Sequence, residues 1–266
     1  MLYFVGTPIG NLKDMSFRAV EVLNSVDEIG CEDTRHSLPL LNHYGIKKPL
    51  FSYHKFNEKE VSEKITDKLK DGKNIAIITD AGMPVISDPG NVLVNVLIEN
   101  GLEFTVIPGA CAFVSALVLS GLSADKFCFL GFLPQKEGER KEFLEKYTNL
   151  DMTLIFYSAP HDLKKDVATL YSVFGERRAV TVKEITKLHE TVNRFNLKDG
   201  VEEDQKGEFV ILVDKGSEEN PLLSLSEKEH IEYYINGGMD KKDALKKVAK
   251  ERNVSKSALY KYTIED

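Results

Sequence analysis

Residues 75–90 read IAIITDAGMPVISDPG, and this stretch determines the fold class of the 266-residue chain. An uninterrupted apolar run passes directly into a loop rich in glycine and proline, which is the pattern of a buried strand that leads into a helix. The same pattern follows residues 2–5 and residues 103–107. In a parallel α/β sheet such loops meet outside the carboxyl ends of the strands, where ligands bind. We therefore expect three loops to form one small-molecule site.

The alternation of strands and helices predicts two α/β domains followed by a helical tail. Residues 1–108 contain five strand–helix units and predict a parallel five-stranded sheet, with helices over residues 17–25, 36–44, 58–70 and 92–100. Residues 109–215 predict a second domain with a mixed sheet, because its late strands have no long helices between them. The polar residues 215–221 predict a linker, and residues 222–266 predict three amphipathic helices, over 227–236, 241–252 and 256–262.

Composition excludes several classes of protein. No apolar run approaches the roughly 18 residues of a membrane span, and a strand pattern begins at residue 2, which leaves no room for a secretory signal. The three cysteines lack CxxC spacing and predict reduced thiols in a cytoplasmic protein. The six histidines show no metal-ligand spacing, so we expect no metal. The chain also lacks the GxGxxG and GKS/T motifs of dinucleotide and P-loop sites.

Charge is distributed unevenly along the chain. The whole sequence has a net charge of −7. Residues 239–262 hold eight Lys or Arg and three acids, for +5, whereas residues 1–238 hold 27 basic and 37 acidic side chains, for −10. A basic tail on an acidic body indicates phosphate contacts by the tail, although a solvated helix surface has the same composition.

Six motifs in this order resemble a known enzyme family. They are VGTPIGN (5–11), CEDTRH (31–36), TDAGMPVISDPG (79–90), IPGACA (107–112), LIFYSAPH (154–161) and VKEITKLHET (182–191), with GFLP at 131–134. Together they resemble the bacterial 16S rRNA ribose 2′-O-methyltransferases that act on a decoding-centre cytidine, position 1402. These enzymes belong to the tetrapyrrole-methylase superfamily, which uses S-adenosylmethionine (SAM).

The resemblance implies a homodimer that binds SAM in a cleft between the two α/β domains. It also implies that the cofactor contacts are made by small side chains and by backbone groups in the loops after the strands. The residues at the matching positions are Ile9, Gly10, Asp80, Ala81, Gly82, Met83, Ile86, Cys111, Ala112 and Ser158. Met83 departs from the family pattern, in which a threonine is expected.

Transfer of a methyl group from a sulfonium to a ribose hydroxyl needs a positioned base but no metal. The segment after the second strand offers Glu32, Asp33, Arg35 and His36. Arg35 is suited to grip a phosphate, and Asp33 or His36 to accept the proton. The structural alternative is a salt-bridged helix start. Lys183 and Glu184 form a rival pair whose alternative is a strand-end ion pair, so the sequence does not assign the base.

Two other functions share these features. A tetrapyrrole C-methyltransferase would use the same cofactor scaffold, but it has no evident use for a basic tail. A non-catalytic protein that binds SAM or RNA would bind the cofactor without transferring its methyl group.

Residues 243–262 have the apolar spacing of a helix-turn-helix unit, with its lysines facing outward. We therefore expect the tail to dock on 16S rRNA within the small ribosomal subunit.

Overall fold

The computed structural model describes residues 1–202, 206–216, 221–252, 254–259 and residue 262. The chain divides into two compact units. The first consists of Met1–Thr148 and Met152–Lys215, and the second of Asn149–Asp151 and Gly216–Asp266. Most of the predicted linker, residues 217–220, lies outside the described residues.

The first sheet confirms the predicted parallel arrangement of five strands. Its order is β3-β2-β4-β1-β5, and every neighbouring pair is parallel. The strands are β1 (Leu2–Val5), β2 (Glu28–Cys31), β3 (Leu50–Ser52), β4 (Ile75–Ile77) and β5 (Phe104–Ile107). The intervening helices are α1 (Phe17–Ser25), α2 (Thr34–His43), α3 (Glu58–Lys70) and α4 (Asn91–Glu99).

Alternation along β4 explains why helices cover both faces of this sheet. Successive side chains of a strand point to opposite faces. Ile75 and Ile77 pack in a core with α3 and α4, whereas Ala76 and Ile78 pack in a core with α1 and α2. All four side chains are buried. Because β4, β1 and β5 are adjacent parallel strands, the loops at their carboxyl ends emerge together at one edge of the sheet.

The second sheet confirms the predicted mixed arrangement. Its order is β6-β7-β10-β8-β9, with β6 parallel to β7 and the other pairs antiparallel. The strands are β6 (Phe127–Phe132), β7 (Thr153–Ser158), β8 (Arg178–Lys183), β9 (Thr191–Asn196) and β10 (Phe209–Val213). Helix α5 (Ala112–Ser120) packs on this sheet. Helices α6 (Glu137–Glu145) and α7 (Leu163–Phe174) pack against each other in the same part of the first unit.

A buried arginine fixes the segment that follows β6. Arg140 has no solvent exposure, and its guanidinium donates to the carbonyls of Pro134 at 2.9 Å and Gln135 at 3.2 Å. Its charge is compensated by Asp166 at 3.5 Å, which also accepts from the Ser158 hydroxyl at 2.7 Å. A buried charge needs such partners, because desolvation without them is costly. The network thereby joins the end of β6 to the end of β7.

The α-helices in the described part of the second unit are α8 (Glu227–Asn236), α9 (Lys241–Glu251) and α10 (Lys256–Leu259). The predicted third helix extended to Tyr262, but residues 260 and 261 lie outside the described residues. The apolar faces pack in one core that includes Ile231, Leu245 and Leu259. Fully buried His230 is hydrogen-bonded at Nε2 to Glu251 at 2.9 Å and accepts at Nδ1 from Arg252 at 3.1 Å.

Helix α2 begins two residues earlier than the sequence pattern predicted. The apolar rhythm predicted a start at His36, but the helix starts at Thr34 with Asp33 as its N-cap. The side chain of Asp33 accepts from the Arg35 amide at 2.8 Å, which satisfies a free donor of the first turn. Among the described residues, no helix is long and apolar enough to cross a membrane.

Candidate active site

A cavity of about 410 Å³ lies between the two sheets of the first unit. Its wall combines the loops after β1, β4 and β5 with residues from β7 and β10 of the second sheet. The lining residues are Ile9, Thr79, Asp80, Ala81, Gly82, Met83, Ile86, Ser87, Asp88, Cys111, Ala112, Phe132, Tyr157, Ser158, Ala159, Pro160, Ile185, Glu208, Phe209 and Val210. We call residues 79–90 the β4 loop and residues 32–36 the β2 segment.

Gly82 holds the β4 loop against the β1 loop. Its amide donates to the Thr7 carbonyl at 3.2 Å, and its carbonyl accepts from the Thr7 amide at 2.9 Å, which forms a short antiparallel bridge. The φ angle of Gly82 is +85°, a left-handed conformation that side chains disfavour. A Cβ here would approach Ile9 Cγ2 at 3.3 Å and the Ala110 carbonyl oxygen at 3.6 Å. The backbone conformation therefore favours glycine, and the space for a side chain is tight.

Gly6 and Gly109 bring the ends of β1 and β5 into direct backbone contact. A Cβ on Gly6 would lie 2.8 Å from the Gly109 Cα and 2.7 Å from the Met83 sulfur. The Gly109 amide donates to Met83 Sδ at 3.3 Å. The methionine that departs from the family pattern therefore still supplies an acceptor in the β4 loop, in the form of a thioether.

Two polar atoms in the cavity wall have no hydrogen-bond partner. They are Asp80 Oδ1 and Thr79 Oγ1, and both atoms are buried. Thr79 as a whole is only 4% exposed. Buried polar groups normally pair, and leaving one unpaired costs stability. Orphan atoms at the wall of a cavity indicate a site built to bind a polar ligand.

Asp88 carries the most perturbed carboxylate of the cavity. Burial, together with the charges of Glu32 and Asp80, raises the pKa of Asp88 to about 6. Burial and then Asp80 also raise the pKa of Glu32. Burial, with smaller effects from Cys111 and Asp88, raises the pKa of Tyr157 to about 12. The β4 loop therefore presents an acidic group whose protonation changes near neutral pH.

The backbone beside the cavity is strained on both sides. Within the part of the chain that the structure describes, four residues other than glycine have positive φ angles, and they are Val85 (76°), Ser87 (64°), Glu184 (51°) and Thr186 (65°). β-branched residues rarely adopt this conformation. Such strain persists only where surrounding contacts impose it, and it concentrates at functional sites.

The structure brings nine of the ten predicted cofactor residues into the cavity wall. These are Ile9, Asp80, Ala81, Gly82, Met83, Ile86, Cys111, Ala112 and Ser158. Gly10 is not among the lining residues. Its φ angle is 153°, and a Cβ there would lie 2.4 Å from the Lys187 side chain, so this glycine makes room for a lysine of the second sheet's loop. Cys111 is a free thiol whose pKa is raised by burial.

The β2 segment does not line the cavity. Asp33 and Arg35 pair with each other through two hydrogen bonds of 3.1 and 2.8 Å, and the Arg35 side chain is 89% exposed. The hydrogen bonds from Arg35 lower the pKa of Asp33 to about 2. His36 is exposed as well. The geometry matches the salt-bridged helix start, and a chemical role of these residues stays a prediction.

The rival pair, Lys183 and Glu184, also lies outside the lining residues. The Lys183 ammonium lies 5.7 Å from the centre of the Phe209 ring. Glu184 pairs with Lys187 at 3.0 Å and accepts from the Glu208 amide at 3.0 Å. Burial opposes ionisation of Glu184, but the Lys187 and Glu208 hydrogen bonds outweigh it and lower its pKa. A general-base role for Glu184 stays a prediction.

Several lining residues were given no role by the sequence analysis. Asp88 belongs to the ISDPG part of the β4 loop, and its position two residues after predicted Ile86 was the available signal. Phe132 and Tyr157 form an edge-to-face pair with ring centres 5.5 Å apart, and Phe132 is 60% exposed. Phe209 and Val210 come from β10, whose approach to the cavity depends on the order of the second sheet.

A family model described as tetrapyrrole (corrin/porphyrin) methylases matches residues 1–199. "Ribosomal RNA small subunit methyltransferase I" of Halalkalibacterium halodurans is 42% identical over 97% of this chain and 93% of its own length. The protein of the same name from Haemophilus influenzae is 43% identical over 98% of this chain and 95% of its own length.

Similarity to a solved structure supports the fold independently. The crystal structure of uroporphyrin-III-C-methyltransferase from Thermus thermophilus superposes with a TM-score of 0.56. It covers 80% of this chain and 94% of that one, at 19% identity. At this level of identity the likeness concerns the fold, two α/β halves with a cleft, and not the substrate.

Proposed function

Because the chain belongs to the tetrapyrrole (corrin/porphyrin) methylase family, we propose that it is the SAM-dependent enzyme that methylates the ribose 2′-hydroxyl of a decoding-centre cytidine in 16S rRNA. The observation that carries this proposal is the identity of about 42% along nearly the whole chain with proteins named as small subunit rRNA methyltransferases. The identity includes the tail, which a tetrapyrrole methyltransferase would not need.

The cavity has the features that SAM requires. Its volume of about 410 Å³ lies in the range of small-molecule sites. Gly82 and its neighbour Ala81 leave room for a ligand close to the backbone. The orphan Asp80 Oδ1 is an acceptor suited to a ribose or amino group. We assign Ile9, Ala81 and Gly82 on the first sheet's side, and Ser158 on the second sheet's side, to hold the cofactor.

The protein forms no covalent bond to the substrate in this reaction. When bound, SAM supplies a methyl group already activated by the positive sulfonium. The chain must hold the ribose oxygen in line, exclude water and accept one proton. Apolar walls from Ile86, Phe132 and Phe209 support the second task, because charge interactions strengthen where water is excluded. Acidic groups of the β4 loop are available for the third.

We assign the tail to substrate docking. On α9 the lysines at 242, 246, 247 and 250 are exposed, while Ala244, Leu245 and Val248 are buried in the tail's own core. The tail can thus present a row of cations without disturbing its packing. Phosphate contacts of this kind supply affinity and position but do not read bases.

The remaining elements of the proposal are a homodimer and a cytoplasmic location. Support for the dimer comes from exposed apolar side chains on one region of the first unit. Val114 and Val118 of α5 are 45% and 78% exposed, and Phe127 of β6 is 44% exposed. Large apolar patches commonly mark interfaces. The location follows from the substrate, since bacterial ribosomal subunits are assembled in the cytoplasm.

Mass mapping of ribose methylation on 16S rRNA tests the proposed reaction. Cells with the gene should carry a 2′-O-methyl group on the decoding-centre cytidine, and cells without the gene should lack it. Purified protein should restore it on small subunits from the deficient cells. An unmodified cytidine in both strains would refute the proposal, and methylation of a tetrapyrrole precursor instead would favour the alternative substrate class.

A variant of the full chain tests the tail. Replacing Lys242, Lys246 and Lys250 by glutamine should weaken subunit binding. The plot of log K against log salt concentration should become less steep by roughly 3, since each phosphate contact contributes about −0.9 to its slope. SAM affinity should not change. The control replaces the exposed Lys47, Lys59 and Lys146 of the first unit, which alters the net charge equally. Equal effects in both variants would refute a specific role for the tail.

A further inference from the structure

We propose that Asp88 is the general base that removes the proton from the ribose 2′-hydroxyl. This inference rests on the proposed function, because it assigns one step of that reaction to one side chain. It begins from the position of Asp88 in the β4 loop, where its carboxylate forms part of the cavity wall.

The geometry separates two acidic positions in this wall. Asp80 lies three residues after the end of β4, and its Oδ1 atom is buried without a hydrogen-bond partner. Asp88 lies eight residues further along, between the exposed Ser87 and the half-buried Pro89. A Cβ on Gly131 would lie 3.7 Å from the Ser87 hydroxyl, which places this part of the loop beside the end of β6.

The end of β6 is the open side of the cavity. Phe132, which follows Gly131 and lines the cavity, is 60% exposed, and Ile86 is 43% exposed. A macromolecular acceptor must enter from solvent, whereas a small cofactor can occupy the inner part. We therefore assign Asp80 to the cofactor and Asp88 to the acceptor. An exposed aromatic beside the base is also a surface on which an unstacked nucleobase can rest.

The surroundings of Asp88 fit a base that works near neutral pH. The acidic neighbours are Glu32 at the end of β2 and Asp80 at the end of β4. From the second sheet, Tyr157 of β7 and Glu208 before β10 face the same cavity, and neither brings a positive charge. Thr79 favours the ionised form of Asp88 and so lowers its pKa. Burial, Glu32 and Asp80 outweigh this effect and raise the pKa of Asp88 to about 6, close to the optimum for a general base.

Backbone strain gives an independent reason to regard this part of the loop as functional. Val85 and Ser87 both have positive φ angles, and they flank the short turn that leads to Asp88. A loop under no functional constraint would be expected to place glycine or asparagine there. The strained turn fixes the backbone from which the Asp88 side chain projects.

Proton transfer and methyl transfer take place in one step. The Asp88 carboxylate takes the hydroxyl proton while the ribose oxygen forms a bond to the methyl carbon. The carbon–sulfur bond breaks at the same time, and its electron pair stays on sulfur, which becomes a neutral thioether. Asp88 ends as a carboxylic acid and returns its proton to solvent. No metal or oxidant is required.

The test measures single-turnover methyl transfer to small subunits isolated from cells that lack the gene. Asp88→Asn should lower the rate by about 10²- to 10⁴-fold, the usual contribution of a general base, and should leave SAM affinity by calorimetry unchanged. The wild-type rate should rise with pH until about pH 6 and then level, because only ionised Asp88 accepts a proton. That rise should be absent from Asp88→Asn. Asp125→Asn, an exposed aspartate before β6, is the matched control.

A second variant keeps Asp88 itself intact. Glu32→Gln removes a neighbouring negative charge, so it should lower the pKa of Asp88 and move the pH inflection downward. Carbon-13 NMR titration of the carboxyl groups in the protein without RNA should show the same shift. Asp80→Asn should instead weaken SAM binding and retain the pH-dependent rise.

The possible failures are distinguishable. A loss of less than tenfold in Asp88→Asn, an unchanged inflection in Glu32→Gln, or loss of SAM affinity in Asp88→Asn would each overturn the assignment of Asp88. Absence of methyl transfer by the wild-type protein would overturn the proposed function and this inference together.

Discussion

The β4 loop and the β2 segment lie at the carboxyl ends of neighbouring parallel strands, and both carry acidic side chains. They differ in whether their polar groups find partners within the protein. The β2 segment satisfies its own polar groups, since Asp33 caps α2 and pairs with Arg35. The β4 loop leaves Asp80 Oδ1 and Thr79 Oγ1 without partners inside a cavity. The clustered charges of the β2 segment thus satisfy one another, whereas the unsatisfied atoms of the β4 loop leave hydrogen-bonding capacity for a ligand.

The largest effect is expected from a side chain at Gly82. Gly82→Val combines a left-handed backbone with a close approach to Ile9, and strain of about 1–3 kcal/mol corresponds to a loss of SAM affinity of roughly 5- to 150-fold. Calorimetry measures the affinity, and circular dichroism checks folding. Gly72→Val is the matched control, because φ there is +83° but no atom lies within 4 Å of a Cβ. Equal SAM affinity in both variants would contradict the cavity assignment.

The next effect concerns the exposed arginine of the β2 segment. Arg35→Ala should weaken binding to small subunits and reduce the salt slope of log K by about 1, as expected for one phosphate contact. Thermal unfolding should barely change, because an exposed ion pair contributes little. SAM affinity should stay the same. An unchanged salt slope would show that Arg35 serves only its pair with Asp33.

Two substitutions of Asp33 distinguish helix capping from catalysis. Asp33→Ala should lower the free energy of unfolding, whereas Asp33→Ser should largely preserve it, because serine caps helices well. Both should keep methyl transfer if the residue is structural. Loss of methyl transfer in a stable Asp33→Ser protein would show that Asp33 takes part in the reaction.

The Asp33 contribution also has a defined pH window. The folded pKa of about 2 lies below the ordinary value of 3.8, so the stabilisation is complete above about pH 4 and is lost as pH falls toward 2. Urea unfolding between pH 2 and 5 should show this loss in the wild-type protein and a smaller one in Asp33→Ala.

The smallest effect is expected at the residue that departs from the family pattern. Met83→Thr should change SAM affinity by less than about threefold, because the sulfur acts as a weak acceptor for the Gly109 amide and a hydroxyl can replace it. Met83→Leu retains volume but removes the acceptor, so it should be the more harmful change. The reverse order by calorimetry would show that volume, and not hydrogen bonding, matters at this position.

The fold followed from the sequence because its signals are local. The uninterrupted apolar run of β4 and the glycine-rich loops after β1 and β5 are visible in short windows. The bounds of α1, α3 and α8 are those that the periodicity predicted. The start of α2 was predicted two residues late because the apolar rhythm does not register a capping side chain such as Asp33.

The site was only partly predictable because much of it is assembled at a distance. Gly10 is constrained by Lys187, which lies far along the chain, and nothing near either residue indicates that contact. Phe209 and Val210 reach the cavity because β10 is the central strand of the second sheet. The pKa of Asp88 depends on Glu32 from another strand. Each of these requires the three-dimensional arrangement.

The four left-handed residues beside the cavity have a consequence for engineering. At Val85, Ser87, Glu184 and Thr186, glycine or asparagine would relieve backbone strain, so a screen for thermostability alone should enrich such changes. The same changes would release the turn before Asp88 and the loop that carries Lys187. A more heat-resistant protein obtained in this way would be a poorer catalyst, and selections on this scaffold should hold these four positions fixed.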